Sequence, residues 1–193
     1  MTDPAEKRAL RRRLRALRAD LAARTPEAAL RAAEALDLGA LPTFETFSGY
    51  HALGAEMDPR PLMARLRLAG GKPALPVCEG ADRPLIFRAW ESFGPEDLVP
   101  DALGVASPPA SATVVRPELV ITPLLAFDRR GGRLGQGGGH YDRTLAELRA
   151  AGPVFVLGLA YAGQELAAVP AEAHDQRLDA ILTEKGYMRV QTE

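Results

Sequence analysis

The stretch from Ile121 to Arg143, ITPLLAFDRRGGRLGQGGGHYDR, constrains this chain more than any other. It opens as an apolar run, passes through a glycine-rich turn and ends on the polar start of a helix. Leu119 to Phe127 is almost continuously apolar and partly β-branched, the pattern of a strand buried on both faces. Tyr141 to Ala151 has Leu145 and Leu148 at helical spacing among charged residues, which predicts a helix. Strand, glycine loop and helix start in that order make an anion-binding device. Glycine lets backbone N–H groups approach a phosphate, and the helix start adds partial positive charge.

Spacing excludes two common phosphate loops. No Gly-Lys-Ser/Thr triplet closes the turn, so it is not a Walker loop. Gly135 and Gly137 begin a G-x-G-x-x-G, but His140 stands where its last glycine belongs. What remains is a loop in which Gly135, Gly137, Gly138 and Gly139 supply donors and Arg133 and Arg143 supply charge. Asp142 adds a hard oxygen suited to Mg²⁺. Glycine clusters are often plain surface turns; the flanking Arg133, Tyr141 and Asp142 weigh against that here.

The rest of the chain supplies an alternation of strands and helices. Thr2-Asp3-Pro4 is a helix start, and Leu10, Leu14, Leu17 and Leu21 then fall on one face. Lys7, Arg8, Arg11, Arg12, Arg13, Arg15 and Arg18 occupy the remaining faces, where most such cations are solvated. Thr25-Pro26 begins a second helix to about Asp37, Thr46 to Leu53 a first strand, and Pro59 to Ala69 a third helix capped by Asp58. Lys72 to Cys78 completes a βαβ unit, for which parallel pairing is expected. Arg83 to Trp90 reads as a further strand, Gly94 to Arg116 as a connection with few helix or strand signals. Val154 to Tyr161 is another buried strand, and Leu178 to Thr183 and Tyr187 to Val190 are short closing strands. Glu56 falls near the carboxyl end of the first strand, where open α/β sheets place ligands.

A length of 193 residues suits one α/β domain, residues 1–193. The net charge of −1 creates no field that would recruit nucleic acid or an anionic membrane. The single cysteine, Cys78, fits a reducing compartment. With a charged N-terminus and no long apolar run, the expectation is a soluble, cytoplasmic protein.

The run Arg133 to Arg143, RLGQGGGHYDR, preceded by Ala126-Phe127-Asp128, closely resembles the signature of the 5-formyltetrahydrofolate cyclo-ligase family, the 5,10-methenyltetrahydrofolate synthetases. The resemblance is strong from Glu118 to Arg143, moderate towards both ends and weak between Gly80 and Val115. It implies an α/β fold: a three-layer, Rossmann-like, mostly parallel sheet flanked by helices, with an N-terminal helical segment. It implies an enzyme, an ATP-dependent ligase that converts 5-formyltetrahydrofolate into 5,10-methenyltetrahydrofolate with release of ADP and phosphate. The cofactors it implies are ATP and Mg²⁺, and the partner is a reduced folate; a monomer is expected.

Site residues follow from the same resemblance. Lys7 and Arg11 match a K-x-x-x-R pair on an N-terminal helix that contacts ATP phosphates. Arg133, Leu134, Gly135, Gln136, Gly137, Gly138, Gly139, His140 and Tyr141 would surround the nucleotide, with Arg133 and Tyr141 in catalytic roles. Glu56, in GYHALGAEMD, matches a glutamate that hydrogen-bonds the pterin ring, a task suited to a carboxylate facing paired N–H donors. His51, Trp90, Gln136 and His140 would also contact folate. Asp142, with Asp175 in AEAHDQRLDAILTE, would hold Mg²⁺; His174 reads as a loop residue bonded to nearby backbone. Two positions depart from the commonest family form: His140 stands where tyrosine is frequent, and Gly138 where some members have lysine. Other readings stay open: a non-catalytic or differently specific nucleotide-binding paralogue, an RNA-binding module using the arginine-rich helix, and a sugar-phosphate isomerase.

Overall fold

The computed structural model describes residues 4–190. In chain order its elements are α1 (Pro4–Arg24), α2 (Ala28–Ala35), β1 (Thr46–Ser48), α3 (Arg60–Leu68), β2 (Lys72–Val77) and β3 (Ile86–Ala89). Three short strands follow, β4 (Val99–Pro100), β5 (Ala106–Ser107) and β6 (Val114–Val115). Then come β7 (Leu119–Thr122), β8 (Ala126–Phe127), β9 (Arg133–Leu134), α4 (His140–Ala151), β10 (Phe155–Leu159), β11 (Ala180–Thr183) and β12 (Gly186–Arg189). The predicted cap at Thr2-Asp3 lies outside the described residues.

The strands with the most continuous apolar character take the middle of the sheet. Its order is β12-β11-β10-β7-β1-β2-β3-β6. The pairs from β11 through β2 are parallel, and the pairs β12–β11, β2–β3 and β3–β6 are antiparallel. Period-two alternation splits the central side chains between two layers. Leu119 and Ile121 of β7 and Phe155, Leu157 and Leu159 of β10 pack with Ala28, Ala32, Leu62 and Leu66 of α2 and α3. Val120 and Val156 point the other way, onto Leu145 of α4. Both faces are therefore covered, which is why these strands read as unbroken apolar runs. The result is an α/β fold with a mostly parallel sheet between helical layers.

Several expectations shift in detail. The predicted strand Leu119 to Phe127 is cut in two, because Pro123 has no N–H to give the ladder. Past the cut, Ala126 and Phe127 leave the main sheet and pair with Leu134 and Arg133 as a separate hairpin. The predicted strand Thr46 to Leu53 stops at Ser48, and the chain then loops towards Glu56. Residues 94–116, expected to be a connection with few helix or strand signals, contain β4, β5 and β6. Asp101 closes the β4–β5 turn by accepting from the backbone N–H of Leu103 and Val105, and β6 joins the sheet by pairing with β3. Neither device has a local apolar pattern.

The N-terminal helix differs most. Its inward stripe is Lys7, Arg11, Leu14, Arg18 and Leu21, at alternating spacings of four and three. Leu14 is buried against Leu125, Ala126, Leu134 and Val169, with Leu10 and Leu17 at the margins of that cluster. Lys7 and Arg18 are buried too, so these two cations are not on a solvated face.

Candidate functional site

A cleft of about 500 Å³ opens beside the carboxyl ends of the parallel strands. Lys7, Arg8 and Arg11 line it from α1, Tyr50, His51, Leu53 and Glu56 from the loop after β1, and Pro76 and Cys78 from the end of β2. Arg133 to Asp142 form a further wall, and Glu172, His174 and Asp175 close it. A cleft in this position is where open α/β sheets bind their ligands.

The glycine loop is held from below and above. Below it, the buried Asp128 accepts from the N–H groups of Arg130 and Gly132 and, with its other oxygen, from Val169 N–H. Above it, Arg11 Nε donates to Gly135 O at 3.1 Å and Arg15 Nε to Gln136 Oε1 at 2.8 Å. Gly137 has φ +106°, a backbone conformation that calls for glycine, and a Cβ there would lie 3.2 Å from Arg11 Cζ, pressing on that guanidinium. Gly139 has φ +67° and precedes α4 without a side-chain cap. The first N–H groups of α4, from His140, Tyr141 and Asp142, have no partner inside the helix. An uncapped helix start lining a cleft beside cationic side chains is suited to a polyphosphate.

Arg133 lies in the hairpin strand β9, buried, with Nη2 2.7 Å from Asp142 Oδ1 and its guanidinium 5.6 Å from the Tyr141 ring centre. Its Nε is buried with no partner among the described residues. Burial, reinforced by the negative charge of Glu56 and opposed by Arg133, holds the Tyr141 phenol well above its usual pKa. The Tyr50 phenol, donating to Met57 O, is raised for the same first two reasons.

Lys7 Nζ meets Glu172 Oε1 at 2.6 Å. That hydrogen bond and the Lys7 charge hold the Glu172 carboxyl below its ordinary range. Glu172, His174 and Asp175 offer ligand atoms within 4.8 Å of one another. His174 Nε2 stands 3.5 Å from Glu172 Oε2 and 3.6 Å from Asp175 Oδ1, so its ring faces carboxylates rather than the backbone. Asp142 is not in that group; its Oδ1 is taken by Arg133 and by Gln176 N–H. The expected pair Asp142 and Asp175 thus both line the cleft, but Asp175 is gathered with Glu172. Carboxylate oxygens of this kind fit Mg²⁺, which takes one or two carboxylates and keeps water.

Most expected site residues are brought together: Lys7, Arg11, His51, Glu56, the run Arg133 to Asp142, and Asp175 all line the one cleft. His51 is exposed at its rim. His140 begins α4, with Nδ1 3.1 Å from Arg83 O. Trp90 is the exception. It is buried in the α2–α3 core cluster, stacks on Phe93 and donates to Gly94 O, away from the cleft lining. A lone tryptophan at a strand end serves the core here because its indole has apolar neighbours and a nearby carbonyl. Sequence reasoning missed Arg18, which donates to Glu56 Oε1 at 3.3 Å and Leu124 O at 3.2 Å. The four-three spacing from Lys7 to Leu21 was the signal that could have found it.

Comparison with known proteins converges on one family. The model of the 5-formyltetrahydrofolate cyclo-ligase family matches residues 3–184. The chain is 34% identical over 146 residues to a 5-formyltetrahydrofolate cyclo-ligase of Mycolicibacterium smegmatis, covering 72% of this chain and 74% of that one. It is 34% identical over 145 residues to the Escherichia coli K12 protein of the same name, covering 72% and 77%. Among solved structures, the 5,10-methenyltetrahydrofolate synthetase of Aquifex aeolicus superposes with a TM-score of 0.76 at 26% identity, over 97% of this chain and 94% of that one. The signature in the glycine loop, the mostly parallel sheet and these matches agree: the chain is a ligase that belongs to the 5-formyltetrahydrofolate cyclo-ligase family.

Proposed function

We propose that this protein converts 5-formyltetrahydrofolate into 5,10-methenyltetrahydrofolate, with ATP cleaved to ADP and phosphate. The observation that carries the reading is the opening of two unlike surfaces into one cleft. One is the uncapped α4 start with Lys7, Arg11 and Arg133; the other is the buried carboxylate of Glu56 with Tyr50 and Leu53. The first suits a polyphosphate, the second a flat heterocycle with N–H donors along one edge.

The formyl oxygen on N5 attacks the γ-phosphorus of ATP and ADP leaves, giving an iminium phosphate. N10 then attacks the activated carbon and gives up its proton, the ring closes, and phosphate departs with the former formyl oxygen. The protein supplies position and charge rather than a covalent nucleophile. Lys7 can keep Glu172 and still donate to phosphate, since an ammonium has three donors. Arg133, set between Asp142 and Tyr141, presents its remaining N–H groups to the transferring group. Tyr141 keeps its proton and so acts as a donor, not as a base. Asp175 and Glu172, with Asp142 close by, would hold Mg²⁺, which supplies neutralisation of the polyphosphate.

The test is the absorbance of the methenyl product on mixing protein, 5-formyltetrahydrofolate, ATP and Mg²⁺. A rise that needs all of them is expected. No rise, with ATP still bound, would overturn the reading.

A further inference from the structure

The buried arginine beneath the cleft has no part in the reading above. Arg18 is 5% exposed and Glu56 9%, and their charges meet at 3.3 Å, with Arg18 Nη1 also donating to Leu124 O. Leu124 O further accepts from Gln164 Nε2, whose Oε1 accepts from Tyr161 N–H. Arg18 is thus tied by two bonds to Glu56 and to the segment between β7 and β8, and it does not itself line the cleft. Its Nε is buried with no partner among the described residues. A buried pair with an unsatisfied donor is a poor device for stability, since well-packed apolar groups do as well or better.

The geometry of Glu56 shows what the pair achieves. An ionised carboxylate has about four lone-pair positions, two on each oxygen. Arg18 takes one on Oε1, and Leu53 N–H takes one on Oε2 at 3.0 Å. One position is left on each oxygen, and Glu56 lines the cleft. That is the arrangement for accepting two parallel N–H donors at once. Neither anchor alone fixes the carboxylate plane; a bond to each oxygen does.

We propose that Arg18 is a positioning residue for folate recognition. By holding Oε1 of Glu56 it keeps both remaining acceptors aimed into the cleft for a heterocycle that presents paired N–H groups. The inference rests on the reading of Glu56 as the folate contact. It assigns specificity to a helix that otherwise serves the nucleotide, since Arg11 of the same helix touches the glycine loop.

The experiment measures KM for 5-formyltetrahydrofolate and for ATP in Arg18→Met, Arg18→Lys, Glu56→Gln and the Arg18→Met/Glu56→Gln double variant. Arg18→Met is expected to raise the folate KM about tenfold or more while the ATP KM stays within about twofold. Arg18→Lys, which restores the charge with less geometric control, should recover part of the loss. In the Glu56→Gln background the Arg18→Met change should add little, because the two act as a unit. An equal rise in both KM values, or additive losses in the double variant, would reduce Arg18 to a general prop and overturn the proposal. If Arg18→Met does not fold, Arg18→Lys carries the same test: an unaltered folate KM there overturns it. If Glu56→Gln leaves the folate KM unchanged, the reading of Glu56 falls and this inference with it. If Glu56→Gln weakens folate and neither Arg18 variant does, only the inference falls.

Discussion

Lys7 and Glu172 lie 165 residues apart in the chain and meet at 2.6 Å, joining α1 to the loop that carries Asp175. A lysine that is buried and yet faces a cleft is set to exchange or share its partner with an incoming anion. Lys7→Ala is expected to raise the KM for ATP about tenfold to a hundredfold, as for loss of a charge-assisted contact. The KM for folate should move far less. Steady-state kinetics with each substrate varied in turn will separate the two.

The same pair predicts a pH dependence. The Glu172 carboxyl is held below its ordinary range, so its contribution is present above the unfolded pKa and is lost as pH falls through the lower folded value. Thermal melts of wild type and Glu172→Gln should therefore differ at neutral pH and converge as pH falls well below about 4. Because Glu172 is solvent-facing, the difference at neutral pH should be small and should shrink with added salt.

Asp142 holds Arg133 and the N–H of Gln176 with one oxygen, leaving its other oxygen without a hydrogen bond among the described residues. Asp142→Ala is expected to lower kcat about a hundredfold or more, while the circular dichroism spectrum is retained. Normal turnover at ordinary magnesium would remove Asp142 from the mechanism.

Gly137→Ala tests the loop. The residue has φ +106° and a Cβ would press on Arg11 at 3.2 Å. The strain is expected to cost about 1–3 kcal/mol. ATP affinity measured by calorimetry should fall further than this if Arg11 is displaced from Gly135. Gly54, with φ +59° and open space around it, is the control: alanine there carries strain without touching the loop.

Tyr141 should remain protonated far into the alkaline range, because burial and Glu56 raise its pKa. Any alkaline limb in the activity profile of wild type below about pH 10 should therefore persist in Tyr141→Phe. A limb that vanishes in the variant would identify Tyr141 as the titrating group.

What could be read from the chain was whatever is written locally. The glycine loop and the helix after it depend on residues next to one another, and α4 begins within a residue of its expected start. The central strands were legible because burial on both faces leaves no polar alternation. The sheet order was not legible, since neighbours such as β7 and β1 are set by long-range packing. Trp90 and Arg18 show the limit on side chains. Each was judged by its type, aromatic as ligand contact or cation as solvated, and each is decided by partners distant in sequence: the α2–α3 core for Trp90, Glu56 and Leu124 for Arg18. The pairing of Lys7 with Glu172 was invisible for the same reason.

The helix α1 also behaves as a ruler. Lys7, Arg11, Arg15 and Arg18 each reach a different fixed point, at Glu172, Gly135, Gln136 and Glu56. Deleting one residue between Arg11 and Arg18 would turn everything beyond it by about 100° and shorten the rod by about 1.5 Å. Arg18 would then face away from Glu56 while Arg11 kept its place. Substitutions on the outer face of α1 are tolerable, whereas insertions and deletions within Lys7 to Arg18 are barred. Residues 25–27, between α1 and α2, lie beyond the last of the four contacts, so a change of length there leaves all four in place.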